Sequence, residues 1–447
     1  MNMRIPDDAL YILNRLTDAG FSAYVVGGCV RDGLLGKTPK DWDICTSARP
    51  EQMQTVFCGD HVVETGLKHG TLTVVRNHIP YEVTTFRVDG KYTDHRHPDG
   101  VFFVEDVRDD LARRDFTVNA MAYHPDQGLV DAFGGQEDLA AGVIRCVGDA
   151  DCRFGEDALR ILRALRFASV LDFDIAPETA AAIHRLYPTM ADVAAERIRV
   201  ELAKLLCGTG VGRILREYTD VITFILPELT ACVGFDQKNH HHRYDVWEHT
   251  IRAVENVPAT ETLRLTALLH DSGKPQVFTV DDTGEGHMNG HPKASRDLSE
   301  AALLRLKLDN ATRDRVLTLI ARHDIPLCDE QHHLLTRPLS QLGEEALRQL
   351  IEIRTADRIA TGTVDPEEVN STRETMLADL EALLASNPCV TLKDLAVNGV
   401  DLATAGLPKG RLMGECLRML LDLVISGDLN NERSALLTAA QTWYAAQ

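Results

Sequence analysis

The chain has 447 residues, 44% of them apolar, and a net charge of −20. At ~150 residues per domain this predicts about three soluble domains, and so acidic a body excludes whole-surface attraction to nucleic acid, leaving any RNA site as a local basic groove. No apolar run approaches the ~18 residues of a bilayer span, the start MNMRIPDDAL lacks an apolar signal core, and the ten cysteines include no C-x-x-C pair, so a cytoplasmic protein with reduced thiols and no membrane is expected.

In chain order, Leu10, Leu13 and Leu16 recur at helical spacing before Gly20. An apolar run to Val26 predicts a buried strand that Gly27-Gly28 breaks, and a short helix over 29–35 follows with Arg31 and Asp32 in its first turn. Asp41-Trp42-Asp43-Ile44 alternates polar and apolar, predicting a second strand with both aspartates on one face. Two carboxylates there repel unless cations lie between them, and hard ions such as Mg²⁺ prefer oxygen. The glycine pair offers bare backbone N–H groups at a helix N-terminus, a seat for phosphate. Together these are the parts of two-metal phosphoryl or nucleotidyl transfer.

A helix is expected over 50–57, then two strands over 70–75 and 81–86 joined near 77–80. Glu82 reads either as an outward residue of a half-buried strand or as a third carboxylate facing Asp41 and Asp43. Residues 87–100 are polar and glycine-containing, the signature of a mobile loop. Arg113-Arg114 has two readings as well: a bidentate holder of triphosphate oxygens, or solvated arginines at a helix N-terminus. Asp131 to Gly135 reads as a turn and hinge.

Residues 154–167, FGEDALRILRALRF, carry a strong helical pattern with Asp157, Arg160, Arg163 and Arg166 every third residue beside an apolar edge. The plain reading is an amphipathic helix with solvated charges. The chemistry favours a second one: a carboxylate accepts from an exocyclic amine while a guanidinium donates to ring nitrogen or carbonyl oxygen. An Asp/Arg pair therefore suits C and A and rejects U and G without a nucleic-acid template.

These motifs, GGCVRD (27–32), DWD (41–43), RRDFTVNA (113–120), DAFGG (131–135), EDALRILRALRF (156–167) and AAERIRVEL (194–202), stand in an order that resembles the class II tRNA CCA-adding nucleotidyltransferases and their poly(A) polymerase relatives. The resemblance implies that Gly28, Arg31 and Arg114 contact the incoming nucleotide and that Asp41 and Asp43 bind Mg²⁺. It also implies that Asp157 and Arg160 read the base with Arg163 and Arg166 nearby, and that 196–199 support their helix. It makes 87–100 the flexible loop associated with adding the terminal A. One departure is Ala132, where many relatives carry proline.

Past about residue 230 the pattern changes. His249, His270-Asp271 and Asp357 fall among helical segments in an H…HD…D order that resembles the HD metal-dependent phosphohydrolases. In that resemblance they are the ligands of a second divalent metal, with His291 and His323 as candidates for a further position. A remnant helical domain with satisfied core histidines is the plainer reading, and 240–242 reads as a solvated loop of three histidines. A polar linker and a helix follow over 361–390. Thr391 and Asp394 have the spacing of a capping box, and Lys409 stands between glycines before a long helix over 411–425. It is either a tRNA phosphate contact or part of a plain turn.

The expected fold is α+β: a polymerase-β-like head (1–140) with a mixed sheet, followed by an elongated all-α neck (141–230), an HD-type region (231–360) and a tRNA-binding tail (361–447). The expected partners are tRNA, CTP and ATP, and the expected reaction is addition of C, C and A with release of pyrophosphate. The rivals are a poly(A) polymerase or A-adding enzyme, an HD hydrolase with a nucleotide-sensing head, and a non-enzymatic tRNA-binding protein.

Overall fold

Short β-rich runs between turn residues build the head. β1 (Ala23–Val26), β2 (Ile44–Thr46), β3 (His61–Val63), β4 (Thr71–Arg76), β5 (Ile79–Thr85), β6 (Arg87–Asp89), β7 (Val101–Phe103), β8 (Met121–His124) and β9 (Gly128–Asp131) follow one another in the chain. Seven of them form one sheet in the order β3-β4-β5-β2-β1-β8-β9. The sheet is mixed, because β2 and β5 run parallel while β1 is antiparallel to both β2 and β8. β6 and β7 pair as a separate hairpin. The computed structural model describes residues 3–64, 66–67, 70–90, 100–327 and 335–446. The tip of the loop expected over 87–100, residues 91–99, lies outside these described residues, and its two ends are the strands β6 and β7.

The chain divides into two compact units, 1–227 with 305–307, and 228–304 with 308–447. In the first, the opening helix Asp7–Asp18 buries Ala9, Ile12, Leu13 and Leu16. Tyr24, Val26, Phe86, Leu111 and Ala122 belong to one buried core, in which a fully buried Val, Leu or Phe side chain contributes roughly 1.5–3 kcal/mol. The turn between β4 and β5 is tighter than the expected 77–80: Asn77 and His78 take φ of 48° and 66°, the left-handed pair that a two-residue hairpin requires.

Two expected elements are corrected. The second strand begins at Ile44, so Asp41, Trp42 and Asp43 precede it, although the Asp43 carbonyl still accepts from Val26 N at 3.0 Å. The helix expected across 154–167 is two helices, Ala150–Glu156 and Leu159–Leu171. Asp157 breaks it at φ −143°, ψ 103°, and its carboxylate caps Leu159 N at 3.1 Å. A short polar side chain that bonds nearby backbone favours such a break, and periodicity alone does not register it.

The second unit is helical, with cores around Leu319, Leu347 and Leu380 and around Leu402, Leu420 and Leu436. The Thr391–Asp394 pair closes a turn rather than starting a helix; the capping box belongs to Asn398 and Asp401, ahead of helix Gly399–Thr404. The long helix expected over 411–425 is present as Arg411–Ile425. No helix among the described residues is long and apolar enough to cross a membrane.

Candidate active site and a second cluster of metal-ligand types

Strand register brings the head carboxylates together. Ile44 lies beside Val83 in the parallel β2–β5 pair, which sets Asp43 alongside Glu82 one residue before. Asp43 is raised above the usual carboxylate range, first by desolvation and then by the charge of Glu82; Arg114 pulls it down and Asp41 adds to the rise. The charges of Glu82 and Asp41 are thus both felt at Asp43, and carboxylate oxygens are the donors that hard divalent cations take. Glu82 sits on the outward face of its half-buried strand, and its charge reaches Asp43.

The glycine turn lies beside a guanidinium. Gly27 has φ 81°, and a Cβ there would meet Arg114 Nη1 at 3.0 Å. Gly28 opens the helix Gly28–Leu34, and a Cβ on it would come within 3.7 Å of Arg31 Nη2. Arg31 is held by Asp32 at 2.9 Å and donates to Asn119 Oδ1 at 2.6 Å. The paired arginines are not solvated, and they follow a helix C-terminus, that of Val107–Ala112, rather than starting a helix. Both turn inward onto Asp110, which is 1% exposed: Arg113 Nη2 at 2.8 Å and Arg114 Nη2 at 3.2 Å. Burial would raise the Asp110 carboxyl, but Arg114 and Arg113 hold it below its ordinary value.

Asp157 and Arg160 are not each other's counter-ion. Arg197 grips both Asp157 oxygens, at 3.3 and 2.7 Å. Arg160 pairs with Glu156 and donates to the carbonyls of Arg153 at 3.1 Å and Arg113 at 3.2 Å. Arg163 bonds Asp115 at 2.8 Å and Arg166 pairs with Glu201. Asp115 also accepts from Asn119 Nδ2 at 3.3 Å, so a polar chain runs from Arg31 through Asn119 and Asp115 to the helix Leu159–Leu171. Glu156, Arg197, Asp115, Asn119, Asp110 and Glu201 were not singled out one by one in the sequence. Each lies inside or beside a quoted motif, and the signal available was that every buried arginine needs a carboxylate.

The family model "Poly A polymerase head domain" matches residues 23–145, "tRNA nucleotidyltransferase domain 2" matches 291–440, and a model for an RNA- and SrmB-binding site of polymerase A matches 172–232. A CCA-adding enzyme of Leuconostoc mesenteroides is 51% identical over 96% of this chain and 94% of its own length. The chain belongs to the CCA-adding enzyme family. A second member, from Levilactobacillus brevis, is 36% identical over 96% of both chains. The crystal structure of the Bacillus stearothermophilus CCA-adding enzyme in complex with CTP superposes with a TM-score of 0.72 at 31% identity, covering 98% of this chain and 97% of that one.

Beyond its nucleotidyltransferase head, this family member carries a second cluster in the helical unit. His249 Nε2 lies 2.9 Å from Asp357 Oδ1 and 3.2 Å from Asp271 Oδ2, and His270 Nε2 lies 3.2 Å from the same Asp271 oxygen. On the other side of Asp271, Oδ1 is 3.3 Å from His291 Nε2 and 3.7 Å from His323 Nε2. Burial and then the charge of His270 hold His323 neutral, down to about 4. His270 goes the other way: burial lowers it, but Asp271 and Asp357 together lift it to about 10, so the carboxylates draw positive charge to that point. The loop of three histidines divides. His240 and His241 are exposed, as expected of a solvated loop, but His242 turns inward to 3.5 Å from Lys274 Nζ, and burial and that ammonium push it down to about 4. Lys274 also meets Asp271 Oδ2 at 2.7 Å and Gln237 Oε1 at 3.0 Å.

Proposed function

We propose that this chain adds C, C and A to the 3′ end of tRNA from CTP and ATP, releasing pyrophosphate, with Mg²⁺ held by Asp41 and Asp43 and flanked by Glu82. The observation that supports this reading is the close approach of Arg114 to the Gly27 turn, with Asp43 raised by burial and then by the charge of Glu82. Bound divalent ions would activate the 3′-hydroxyl and neutralise the leaving group. The rest is the work of this chain's side chains. The backbone N–H groups after Gly27, with Arg31 and Arg114, seat the triphosphate. Asp157 accepts from the base's exocyclic amine and Arg160 donates to its ring edge, which admits C and A. Arg163 and Arg166 pin the reader helix through Asp115 and Glu201.

The test is incorporation of label from CTP into tRNA lacking its 3′ end. Asp41→Ala should abolish transfer while tRNA binding persists; a purified Asp41→Ala protein that still incorporates CTP overturns the metal assignment. A poly(A) polymerase would use the same head, and only the length and sequence of the product separate the two.

A second reading concerns the helical unit, where His249, His270, Asp271 and Asp357 form a candidate site for one divalent metal. His270 Nδ1 lies 2.7 Å from the Ala267 carbonyl and donates to it, so Nε2 is the ring nitrogen turned toward the carboxylates. Metal analysis of the purified protein checks this: about one equivalent is expected, and none after Asp357→Ala.

A further inference from the structure

We infer that Phe167 is a positioning residue for nucleotide transfer: its ring seats the Arg31 guanidinium and so sets the aim of that arginine at the triphosphate. This rests on the reading above that Arg31 helps to seat the triphosphate, and it adds the group that holds Arg31 in place.

Phe167 lies in the helix Leu159–Leu171 and is 6% exposed. Three guanidiniums gather over its ring: Arg166 Cζ stands 3.7 Å from the ring centroid, Arg31 Cζ 5.2 Å and Arg163 Cζ 5.5 Å. All three fall within the ~6 Å over which the negative face of an aromatic ring attracts a cation, and exclusion of water strengthens that attraction. Arg166 and Arg163 have buried carboxylates as partners, Glu201 and Asp115. Arg31 differs. Its carboxylate is the next residue, Asp32, whose side chain is 25% exposed, so water competes for that pair. Asp32 meets Arg31 Nε and Nη2, and Asn119 takes an N–H of Nη1. That leaves the second hydrogen of each terminal nitrogen for phosphate oxygens. A ring face holds the charge without using any N–H, so Phe167 can fix Arg31 and leave those donors available.

The ring is itself fixed. Phe116 meets it edge to face, with centroids 5.7 Å apart and planes at 77°, a preferred geometry for an aromatic pair. Phe116 is fully buried and follows Asp115, the carboxylate that holds Arg163. Turning the Phe167 ring would break that edge contact. The seat under Arg31 is therefore rigid, and it is supplied by the helix that also carries Arg160, Arg163 and Arg166. Arg163 and Arg166 keep Asp115 and Glu201 if the ring's negative face is weakened, whereas Arg31 keeps only Asn119 and its exposed neighbour. The effect of such a change should thus fall on Arg31.

The experiment uses the full chain with Phe167 replaced by phenylalanines carrying one, two or three ring fluorines, which keep the ring's size while draining negative charge from its face. It reads KM for CTP on tRNA lacking CCA and KM for ATP on tRNA ending in CC. Both should rise in steps with the number of fluorines, to about tenfold at three, with kcat falling less than KM rises. Inorganic triphosphate, which has no base, should weaken as a competitor in the same steps. The preference for CTP over UTP and for ATP over GTP should stay as it is. On an Arg31→Met background, where KM is already raised, the series should be flat. A flat series with Arg31 present, steps that persist without Arg31, or a loss of base preference overturns the seat and leaves Arg31 at the triphosphate. An Arg31→Met protein with unchanged KM for CTP and ATP overturns the triphosphate reading as well.

Discussion

Arg197→Ala separates base reading from nucleotide binding. Asp157 and Arg197 meet through two charge-assisted hydrogen bonds, at 3.3 and 2.7 Å, with side chains 17% and 27% exposed. A fully buried bond of this kind contributes about 1.5–3 kcal/mol. Partial exposure lets water replace the guanidinium, and Leu159 N still holds one Asp157 oxygen, so about 1.4 kcal/mol of orientation is lost, a factor of roughly ten. The assay is steady-state kinetics on tRNA ending in CC, comparing kcat/KM for ATP and GTP, and on tRNA lacking CCA, comparing CTP and UTP. Both preference ratios should fall about tenfold, while kcat for the correct nucleotide falls less. Arg197→Lys, which keeps one donor, should recover part of the ratio. Unchanged ratios, or an equal loss for all four nucleotides, refute the idea that Arg197 aims the base-reading carboxylate.

Two further outcomes are expected. Gly27→Ala should cost roughly 1–3 kcal/mol of strain, and because the new methyl meets Arg114 Nη1 at 3.0 Å, it should raise KM for both CTP and ATP; kinetics at saturating tRNA checks this. Acid should weaken the polar chain that ends on the helix Leu159–Leu171. Burial raises Asp115, but Arg163 outweighs it and holds the carboxyl below its ordinary value, so its contribution is complete above roughly pH 4 and fades as pH falls through the lowered folded value. Arg163→Met removes the partner of a carboxylate only 8% exposed and should cost about 2–3 kcal/mol at neutral pH, with the acid unfolding midpoint moved to higher pH, read by circular dichroism.

What was legible in the sequence followed local rules. An apolar run ended by glycine marks β1 and the turn at Gly27, whereas alternation around Asp43 starts the second strand too early, since it begins at Ile44. What was illegible depended on partners far away in the chain. Asp157 looked like a mid-helix residue because the apolar edge continues past it; the break comes from its own side chain capping Leu159 and from Arg197, forty residues on. The ion pairs of Arg160 and Arg163 were not legible because Glu156 and Asp115 become their partners only in the folded chain. His242 looked like its two exposed neighbours, and only the fold turns it toward Lys274.

The most direct measurement is product sequencing after purified protein is incubated with tRNA lacking its 3′ end, Mg²⁺ and all four nucleoside triphosphates. A protein-built reader that accepts only C and A in a closed site predicts growth by C, C and A and then a stop. Continued addition of A, or incorporation of U or G at those positions, contradicts it.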